Sequence, residues 1–462
     1  MKTKRITMIA VSLALFMDVM DSNVINTAVP AMSHTFSVSP IDLKIALISY
    51  LLSLAIFIPI SGWVADRYGA KNIFIAAIGL FTATSFFCGY SHTLMQLIIA
   101  RSIQGIGGAF MISLGRLMIA KTFPRHEMVE AMNFIIIIVS FAVMIGPFVG
   151  GVIVDHLSWP WIFWINIPAG IFLIALSLYG LKEVVIKNIR PFDAVGFILF
   201  GGSLALSCFS LSEISETNSD VLTCLVHLGI GLTLLFAYVL YAKRKKHPVM
   251  KIDLFRIRTF RVSVIGNLCA RLGFGGMPFL IPLMLQVALG FSAQLAGLLM
   301  VPIAFGIMTS KVIASKILRA LGYRRYLLLN TVIVSLILCS FQWITQSTSV
   351  YVIGLMCFIF GVFISVQYTG MNSLALADIQ DDELSASTSI TSTVQVLAQS
   401  LGVAFGAILL RIFLSLSKPP AHLSIAIFHK SFLALGVITL FSMFVFMQLH
   451  ERDGEKMLKK VL

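Results

Sequence analysis

Fourteen long apolar runs constrain the fold of this chain more than any other feature of its sequence. Each run has about 19 to 28 residues, and an α-helix needs about 20 to cross the hydrocarbon core of a membrane. Only 12% of the residues are charged, whereas about a quarter of a soluble domain is charged. The sequence therefore predicts an all-α polytopic membrane protein. The runs lie at about 7–31, 44–65, 72–90, 94–120, 132–155, 160–181, 193–213, 221–241, 261–288, 294–315, 325–345, 348–371, 394–414 and 428–449.

The distribution of basic residues predicts the orientation of these helices. An even number of spans places both termini on one side of the membrane, and 26 of the 34 Lys and Arg residues fall in loops and tails on that side. By the positive-inside rule, we expect cytoplasmic termini and a multi-pass protein of the cytoplasmic (inner) membrane. The net charge of +14 then reflects topology and contact with membrane lipid, and nucleic acid is not an expected partner.

An internal repeat divides the predicted helices. Gly69 and Gly322 lie 253 residues apart in two basic hairpins, and Gly146 and Gly402 lie 256 residues apart in two apolar runs. Two six-helix halves separated by an inserted pair of helices would produce this spacing. Repeated halves favour a substrate site near the membrane midplane between them, reached by rocking one half against the other. We predict an N-terminal six-helix bundle over residues 1–190, an inserted helix pair over 191–245 and a C-terminal six-helix bundle over 246–462.

The first of these hairpins is a charged segment, GWVADRYGAK, between the second and third runs. Gly62 would allow close helix contact, and Gly69 would allow a tight turn. Asp66, at the end of the second run, is placed to cap a neighbouring helix and to pair with a basic residue, which would latch one conformational state. A plain surface turn is the alternative. The predicted conformational gate consists of Gly62, Asp66, Arg67, Gly69 and Lys71.

Two acidic residues and one basic residue lie deep in the apolar runs of the first half. Asp18 and Asp21 are one helical turn apart and are the only carboxylates deep in any run. A carboxylate in this setting can load and release a proton. Arg101 is costly in a membrane, so it should pair with an acid or bind a ligand, and Asp21 is the natural candidate. We predict that Asp21, Asp18 and Arg101 handle protons; a purely structural ion pair remains the alternative.

The fifth run contains the segment AVMIGPFVGG. Pro147 removes a backbone hydrogen bond and kinks a helix. Gly146, Gly150 and Gly151 make one face flat enough for tight packing on a partner helix. Judged by these residues alone, the segment is a kinked helix contact.

The sequence indicates neither a catalytic site nor a cofactor site. The glycines that follow Gln104 lack both the spacing and the preceding strand of a nucleotide-binding loop. The six cysteines are scattered without a CxxC pair, so neither a disulfide framework nor a zinc site is indicated. We therefore expect a protein that is not an enzyme and that requires no metal and no cofactor.

Several of these segments resemble motifs of the major facilitator superfamily, in its fourteen-helix drug/proton antiporter branch. The charged hairpin resembles the loop between helices 2 and 3 of that superfamily, and Arg101 to Gly108 resembles its helix 4 motif. Gly146 to Gly151 resembles its antiporter motif, with Ala142 in place of the leading Gly. Segments 21–30, 158–170 and 252–260 resemble further signatures of the same branch.

The resemblance implies the major facilitator fold, built from two six-helix bundles plus two inserted helices. It also implies proton-coupled export of small organic molecules across the cytoplasmic membrane by alternating access. The implied partners are protons and a small-molecule substrate, and a monomer is expected. A uniporter or an importer that shares the fold and ignores the proton gradient is the competing interpretation.

Basic residues in the second half favour a substrate other than the lipophilic cations that such pumps carry. This half has no carboxylate deep in a run, but it has Arg271 in the ninth run and Lys311 in the tenth. Because a guanidinium matches a carboxylate, we hypothesise that both residues converge on one cavity and bind an anionic or zwitterionic substrate. Structural pairing is the alternative. The segment between them resembles an enterobacterial subgroup of multidrug exporters, and this suggests citrate or a carboxylate siderophore as cargo. The predicted substrate-binding residues are Arg271, Lys311, Asn26, Gln104 and Asn267.

Overall fold

A computed structural model describes residues 2–183, 191–214, 220–380, 383–417, 423–455 and 457. Fourteen helices within these ranges are long and apolar enough to cross a membrane. The predicted all-α class and the predicted number of spans are therefore confirmed. The helices are α1 (Lys2–Phe36), α2 (Lys44–Tyr68), α3 (Ala70–Gly89), α4 (Leu94–Thr122), α5 (Arg125–His156), α6 (Trp161–Gly180), α7 (Ala194–Glu213), α8 (Val221–Arg244), α9 (Arg258–Ala288), α10 (293–321), α11 (323–340), α12 (Val350–Leu374), α13 (Leu384–Ser415) and α14 (Ile425–Phe446).

Proline and glycine account for local interruptions in these helices. In α2, a 3₁₀ turn at Ile58–Ile60 contains Pro59, which has no N–H to donate. Gly322 adopts φ 69° and ψ 162°, so it separates α10 from α11 within an otherwise continuous helical stretch. In α9, the regular helix is interrupted at Gly275 and Gly276, one turn after Arg271.

The helices form two compact units. Unit 1 consists of Met1–Phe197 and Ser292–Leu298, and unit 2 consists of Ile198–Phe291 and Leu299–Leu462. Within unit 1, α1 packs along α5, and α4 packs along both α2 and α3. Within unit 2, α9 packs against α12, α13 and α14. The separate status of the inserted helix pair, with limits at 190 and 245, stays a prediction.

Glycines of α5 bring two neighbouring segments of unit 1 into backbone contact. A Cβ atom on Gly150 would lie 2.6 Å from the carbonyl oxygen of Val24 and 2.5 Å from Thr27 Oγ1, both on α1. A Cβ atom on Gly151 would overlap the carbonyl oxygen of Ala293, where α10 begins. The glycine face of α5 is therefore packed tightly on two segments, as its sequence predicts. A role of this face in antiport stays a prediction.

Candidate functional site

A network of buried polar side chains joins four helices of unit 1. Arg101 on α4 donates from Nη1 to Asp21 Oδ2 on α1 and, over 2.7 Å, to Gln104 Oε1. Asn166 on α6 donates from Nδ2 to Asp21 Oδ1 over 2.7 Å, and Gln104 Nε2 reaches the same oxygen at 3.3 Å. Gln104 Nε2 also donates to Ser85 Oγ on α3 at 2.8 Å. The Asp21 carboxylate thus accepts hydrogen bonds from three side chains on two other helices.

This network is almost completely enclosed by protein. Asp21 is 2% exposed, Arg101 1% and Gln104 0%. A buried ion pair recovers its desolvation cost only when its geometry is good and further hydrogen bonds satisfy the remaining donors and acceptors. The amides of Gln104 and Asn166 supply hydrogen bonds of this kind. The contact expected between Asp21 and Arg101 is therefore present, within a larger polar network than the two residues alone suggest.

Two aromatic rings also face the Arg101 guanidinium. Its Cζ atom lies 4.1 Å from the centroid of the Tyr50 ring and 5.6 Å from that of Phe163. A guanidinium within about 6 Å of a ring centroid is attracted to the negative face of the ring, and the attraction grows when water is excluded. Phe163 and Asn166 belong to the same short segment at the start of α6. That segment therefore contributes both an aromatic and a polar contact to the network.

Asp18 has a different environment from Asp21. The hydroxyl of Tyr50 on α2 donates to Asp18 Oδ1, and Asp18 is 2% exposed. A Cβ atom on Gly108 of α4 would lie 2.5 Å from Asp18 Oδ1 and 2.7 Å from Tyr50 Oη. Since real Cβ atoms do not approach other atoms this closely, glycine at this position leaves the room in which the pair forms. Gly108 of the helix 4 motif thus has a local explanation in the packing of this pair.

The charged hairpin contains an acidic contact that its own sequence does not reveal. Glu183, just after α6, accepts from the backbone N–H of Lys71 at 3.2 Å, and Lys71 Nζ donates to the carbonyl oxygen of Leu178 at 3.2 Å. Gly69 has φ 89°, and a Cβ atom there would lie 2.6 Å from Glu183 Oε1. A carboxylate at the N-terminus of a helix offsets the partial positive charge there. Glu183 thus stabilises the start of α3, and Gly69 makes room for it.

The remaining residues of the predicted gate differ in their surroundings. A Cβ atom on Gly62 would meet no atom within 4 Å, so the close helix contact predicted for this glycine is wrong for the described part of the chain. Arg67 is exposed and Asp66 is half-buried at the end of α2. The start of α3 receives the Glu183 carboxylate. Latching by Asp66 stays a prediction.

Unit 2 contains a second polar cluster around Arg271. Arg271 Nε donates to Asn267 Oδ1 at 2.7 Å, and Nη1 donates to Gln399 Oε1 on α13 at 3.1 Å. The guanidinium carbon lies 4.1 Å from the ring centroid of Tyr368 on α12. Gln399 Nε2 donates to the carbonyl oxygen of Gly275, directly after the regular part of α9, at 2.6 Å. Arg271 is thus held by three uncharged side chains from its own helix and two others.

The other predicted substrate-binding residues are distributed differently. Lys311 on α10 is exposed, and the side chains that contact Arg271 come from α9, α12 and α13. Asn26 is 5% exposed and donates within α1, to the carbonyl oxygens of Ser22 and Asn23. Gln104 belongs to the Asp21 network. Of the five residues, the structure brings Asn267 into contact with Arg271, and substrate contact stays a prediction for all of them.

Similarity to known proteins shows which family this chain belongs to. Residues 11–407 match the Major Facilitator Superfamily, which covers most of the chain. The chain belongs to the major facilitator superfamily. One relative is the "Putative multidrug resistance protein MdtD" of Escherichia coli (strain K12), which is 35% identical over 442 residues, covering 94% of this chain and 93% of the relative. The predicted membership is confirmed. The chain is a membrane protein of a superfamily of transporters.

Solved structures of the superfamily share its fold. The POT family transporter PepTSo has a TM-score of 0.71 at 12% identity and covers 98% of both chains. The D-xylose-proton symporter has a TM-score of 0.67 at 15% identity and covers 97% of this chain and 98% of its own. Sequence identities this low are evidence for the fold alone. The predicted major facilitator fold is therefore confirmed, and these structures give no information about the substrate.

The segment after α14 adds an ionic cluster to unit 2 of this superfamily member. Arg258, the first residue of α9, donates to both carboxylate oxygens of Asp453, from Nε at 2.9 Å and from Nη2 at 2.6 Å. Arg325 pairs with Glu451 at 3.2 Å. Burial alone would raise the pKa of Asp453, but the hydrogen bonds from Arg258 and the backbone of His450 outweigh it and hold the pKa below its usual range. The second basic hairpin, at Gly322, has no acidic residue of its own, and Glu451 provides a carboxylate to its Arg325.

Sequence reasoning missed several side chains of these sites, among them Tyr50, the donor to Asp18. Asn166 and Ser85 complete the Asp21 network, and Glu183 caps α3. Asn166 and Glu183 lie 145 and 112 residues along the chain from the residues they contact, and Ser85 lies 19 residues from its partner. The asparagine within WINIP, a polar residue in an apolar stretch that resembles a superfamily signature, was the one local signal for such a role.

Proposed function

We propose that this chain is a proton-coupled secondary exporter of small organic molecules that works by alternating access, as a monomer with both termini in the cytoplasm. One observation carries the proposal. Asp18 and Asp21 are enclosed in α1 beside Arg101, and each of the three is at most 2% exposed. Ionisable groups inside a membrane are expensive, and they are found where protons, ions or substrates move. Binding and release of a proton at this acidic pair would make its charge depend on the pH on each side of the membrane.

The direction of transport is proposed from two further points. The segment Gly146 to Gly151 resembles a motif found mainly in exporters, and Gly146 and Gly150 pack on α1 close to the acidic pair. The name of the relative MdtD includes multidrug resistance, and movement of drugs out of the cell is one way to produce such resistance. Both points support export, and a gradient-independent facilitator is the competing function.

Collapse of a pH gradient in everted membrane vesicles tests proton coupling. Candidate lipophilic cations and tricarboxylates are added in turn to vesicles that contain the full chain. We expect at least one of them to dissipate the gradient with the wild type and not with Asp21→Asn. The matched control is Asp253→Asn, since the Asp253 side chain is 73% exposed. Substrate flux that is the same with and without a gradient would contradict proton coupling and favour a facilitator.

A second candidate function is export of an organic anion, such as citrate or a carboxylate siderophore. The observation that favours it is the Arg271 cluster, in which a guanidinium contacts Asn267, Gln399 and Tyr368 but, in the described ranges, no carboxylate. A guanidinium in such a site can form a bidentate pair with an incoming carboxylate. The neighbouring amides would then remain as donors for the rest of the ligand.

The same vesicles test this candidate with a different pair of variants. We expect Arg271→Ala to abolish the response to tricarboxylates, while Arg256→Ala, at an 83% exposed side chain, leaves it intact. Lys311→Ala reports whether the exposed lysine takes part in binding. A tricarboxylate response that survives in both Arg271→Ala and Lys311→Ala would contradict anion binding at these residues. A response to cations alone would favour an ordinary multidrug pump.

A further inference from the structure

The enclosed site formed by Asp18, Asp21 and Arg101 contains two acidic groups and one basic group. Asp18, Asp21 and Arg101 are 2%, 2% and 1% exposed. The titratable groups that act on Asp18 in the described chain are Tyr50 on α2, Asp21 on α1 and Arg101 on α4. With both carboxyls ionised, and the Tyr50 phenol neutral, the enclosed site has a net charge of −1. A single proton makes the site neutral, which is the favoured state where water is excluded.

The hydrogen bonds differ between the two carboxyls. Asp21 accepts from Arg101, Asn166 and Gln104, so both of its oxygens are occupied and one donor is charged. Asp18 accepts from a single donor in the described chain, the hydroxyl of Tyr50. Hydrogen bonds from donors stabilise the ionised form of a carboxyl, and an adjacent guanidinium does so most strongly. The ionised form is therefore favoured at Asp21, and the proton is left to Asp18.

We infer that Asp18, paired with Tyr50, binds the transported proton, while Asp21 stays an anion held by Arg101 through the cycle. This inference rests on the proposed proton-coupled function. In the proton-binding step, the Asp18 carboxylate takes up one proton and becomes a neutral carboxylic acid, and no other bond changes. Tyr50 keeps donating to Oδ1, so the other oxygen is the one that receives the proton. The two acids thus have different roles, one as a carrier and one as a fixed counter-ion.

Infrared spectroscopy of the purified full chain tests this assignment without a substrate. A protonated carboxyl group has a C=O stretching band that a carboxylate lacks, and the band is followed while the pH is varied. We expect one component of this band, besides those of the other carboxyl groups, to titrate in the wild type, to be absent from Asp18→Asn and to remain in the exposed control Asp253→Asn. Tyr50→Phe should move the midpoint of this titration, whereas Tyr351→Phe, at an 86% exposed residue, should leave it in place.

Two results would overturn the inference. One is a band that persists in Asp18→Asn and disappears in Asp21→Asn. The other is a titration of the carboxyl band that is the same in the wild type and in Asp18→Asn. Vesicle transport supplies the second readout: Asp18→Asn should lose gradient-driven transport and retain exchange of substrate for substrate, because the Asp21–Arg101 pair is intact. If the wild type has the band at Asp18 but no gradient-dependent transport, the proposed function fails, and the spectrum distinguishes that failure from a wrong assignment of the proton site.

Discussion

The ion pair between Arg101 and Asp21 gives the sharpest energetic prediction. Arg101→Met keeps the length and apolar stem of the side chain but leaves the Asp21 carboxylate enclosed without its cation. Breaking a buried pair by removal of one partner costs about 3–5 kcal/mol. The contact with the Tyr50 ring at 4.1 Å and the hydrogen bond to Gln104 at 2.7 Å are lost as well. We expect a loss within that range, because such terms are not additive.

A double-mutant cycle isolates the part that belongs to the pair. Arg101→Met and Asp21→Asn together leave no uncompensated charge between these two positions. The double variant should therefore lose less unfolding free energy than the two single variants lose together, and the difference should be about 2–3 kcal/mol. The assay is equilibrium unfolding of the purified chain in mixed micelles by a denaturing surfactant, with the exposed Arg256→Met as control. Additivity within about 0.5 kcal/mol would refute a direct buried pair, and equal losses for Arg101→Met and the control would do the same.

Three further predictions concern single positions. Gly69→Ala places a side chain at φ 89° with its Cβ 2.6 Å from a carboxylate oxygen, so the start of α3 should lose about 1–3 kcal/mol, measured as a lower thermal midpoint of the purified protein. Gly108→Ala should reduce gradient-driven flux at least tenfold in everted vesicles, whereas Gly79→Ala, whose Cβ would meet its first neighbour at 4.0 Å, should leave flux unchanged; equal effects would contradict the packing argument. The pKa of Asp453 is lowered by Arg258, so the pairing stabilises the C-terminal segment above the ordinary Asp pKa of about 3.9 and is lost as the pH falls through the lowered value. Arg258→Gln should remove this protection already at neutral pH, as measured by limited proteolysis; unchanged cleavage would contradict it.

Much of the architecture could be predicted because it depends on local properties. A run of apolar residues long enough to cross a membrane forms a helix wherever it lies in the chain, and all fourteen predicted spans are present. The flat glycine face of α5 could also be predicted, since small residues are needed wherever helix backbones meet. Its two contacts, α1 and the start of α10, could not, since nothing in a glycine specifies its partner.

The functional site was predicted only in part. A buried Arg and a buried Asp demand compensation, so the contact between Arg101 and Asp21 could be inferred from cost alone. Other contacts required the tertiary structure. Asn166, for example, is one of many polar residues in apolar runs, and it reaches Asp21 because of how α6 packs beside α1.

The sequence was sufficient for the class of protein, the number of helices, the family and the identity of the expensive buried charges. The class, the helix number and the buried charges follow from the cost of placing each residue type in hydrocarbon, which is a property of the residue itself, whereas the family follows from the resemblance of the motifs. The tertiary structure was needed to learn that, among the described residues, Asp18 accepts from one donor and Asp21 from three, that Glu183 contacts the start of α3, and that Lys311 is exposed. Hydrogen bonds between helices depend on rotation and depth of each helix relative to its neighbours. Those quantities result from packing over the whole bundle, so no single stretch of sequence specifies them.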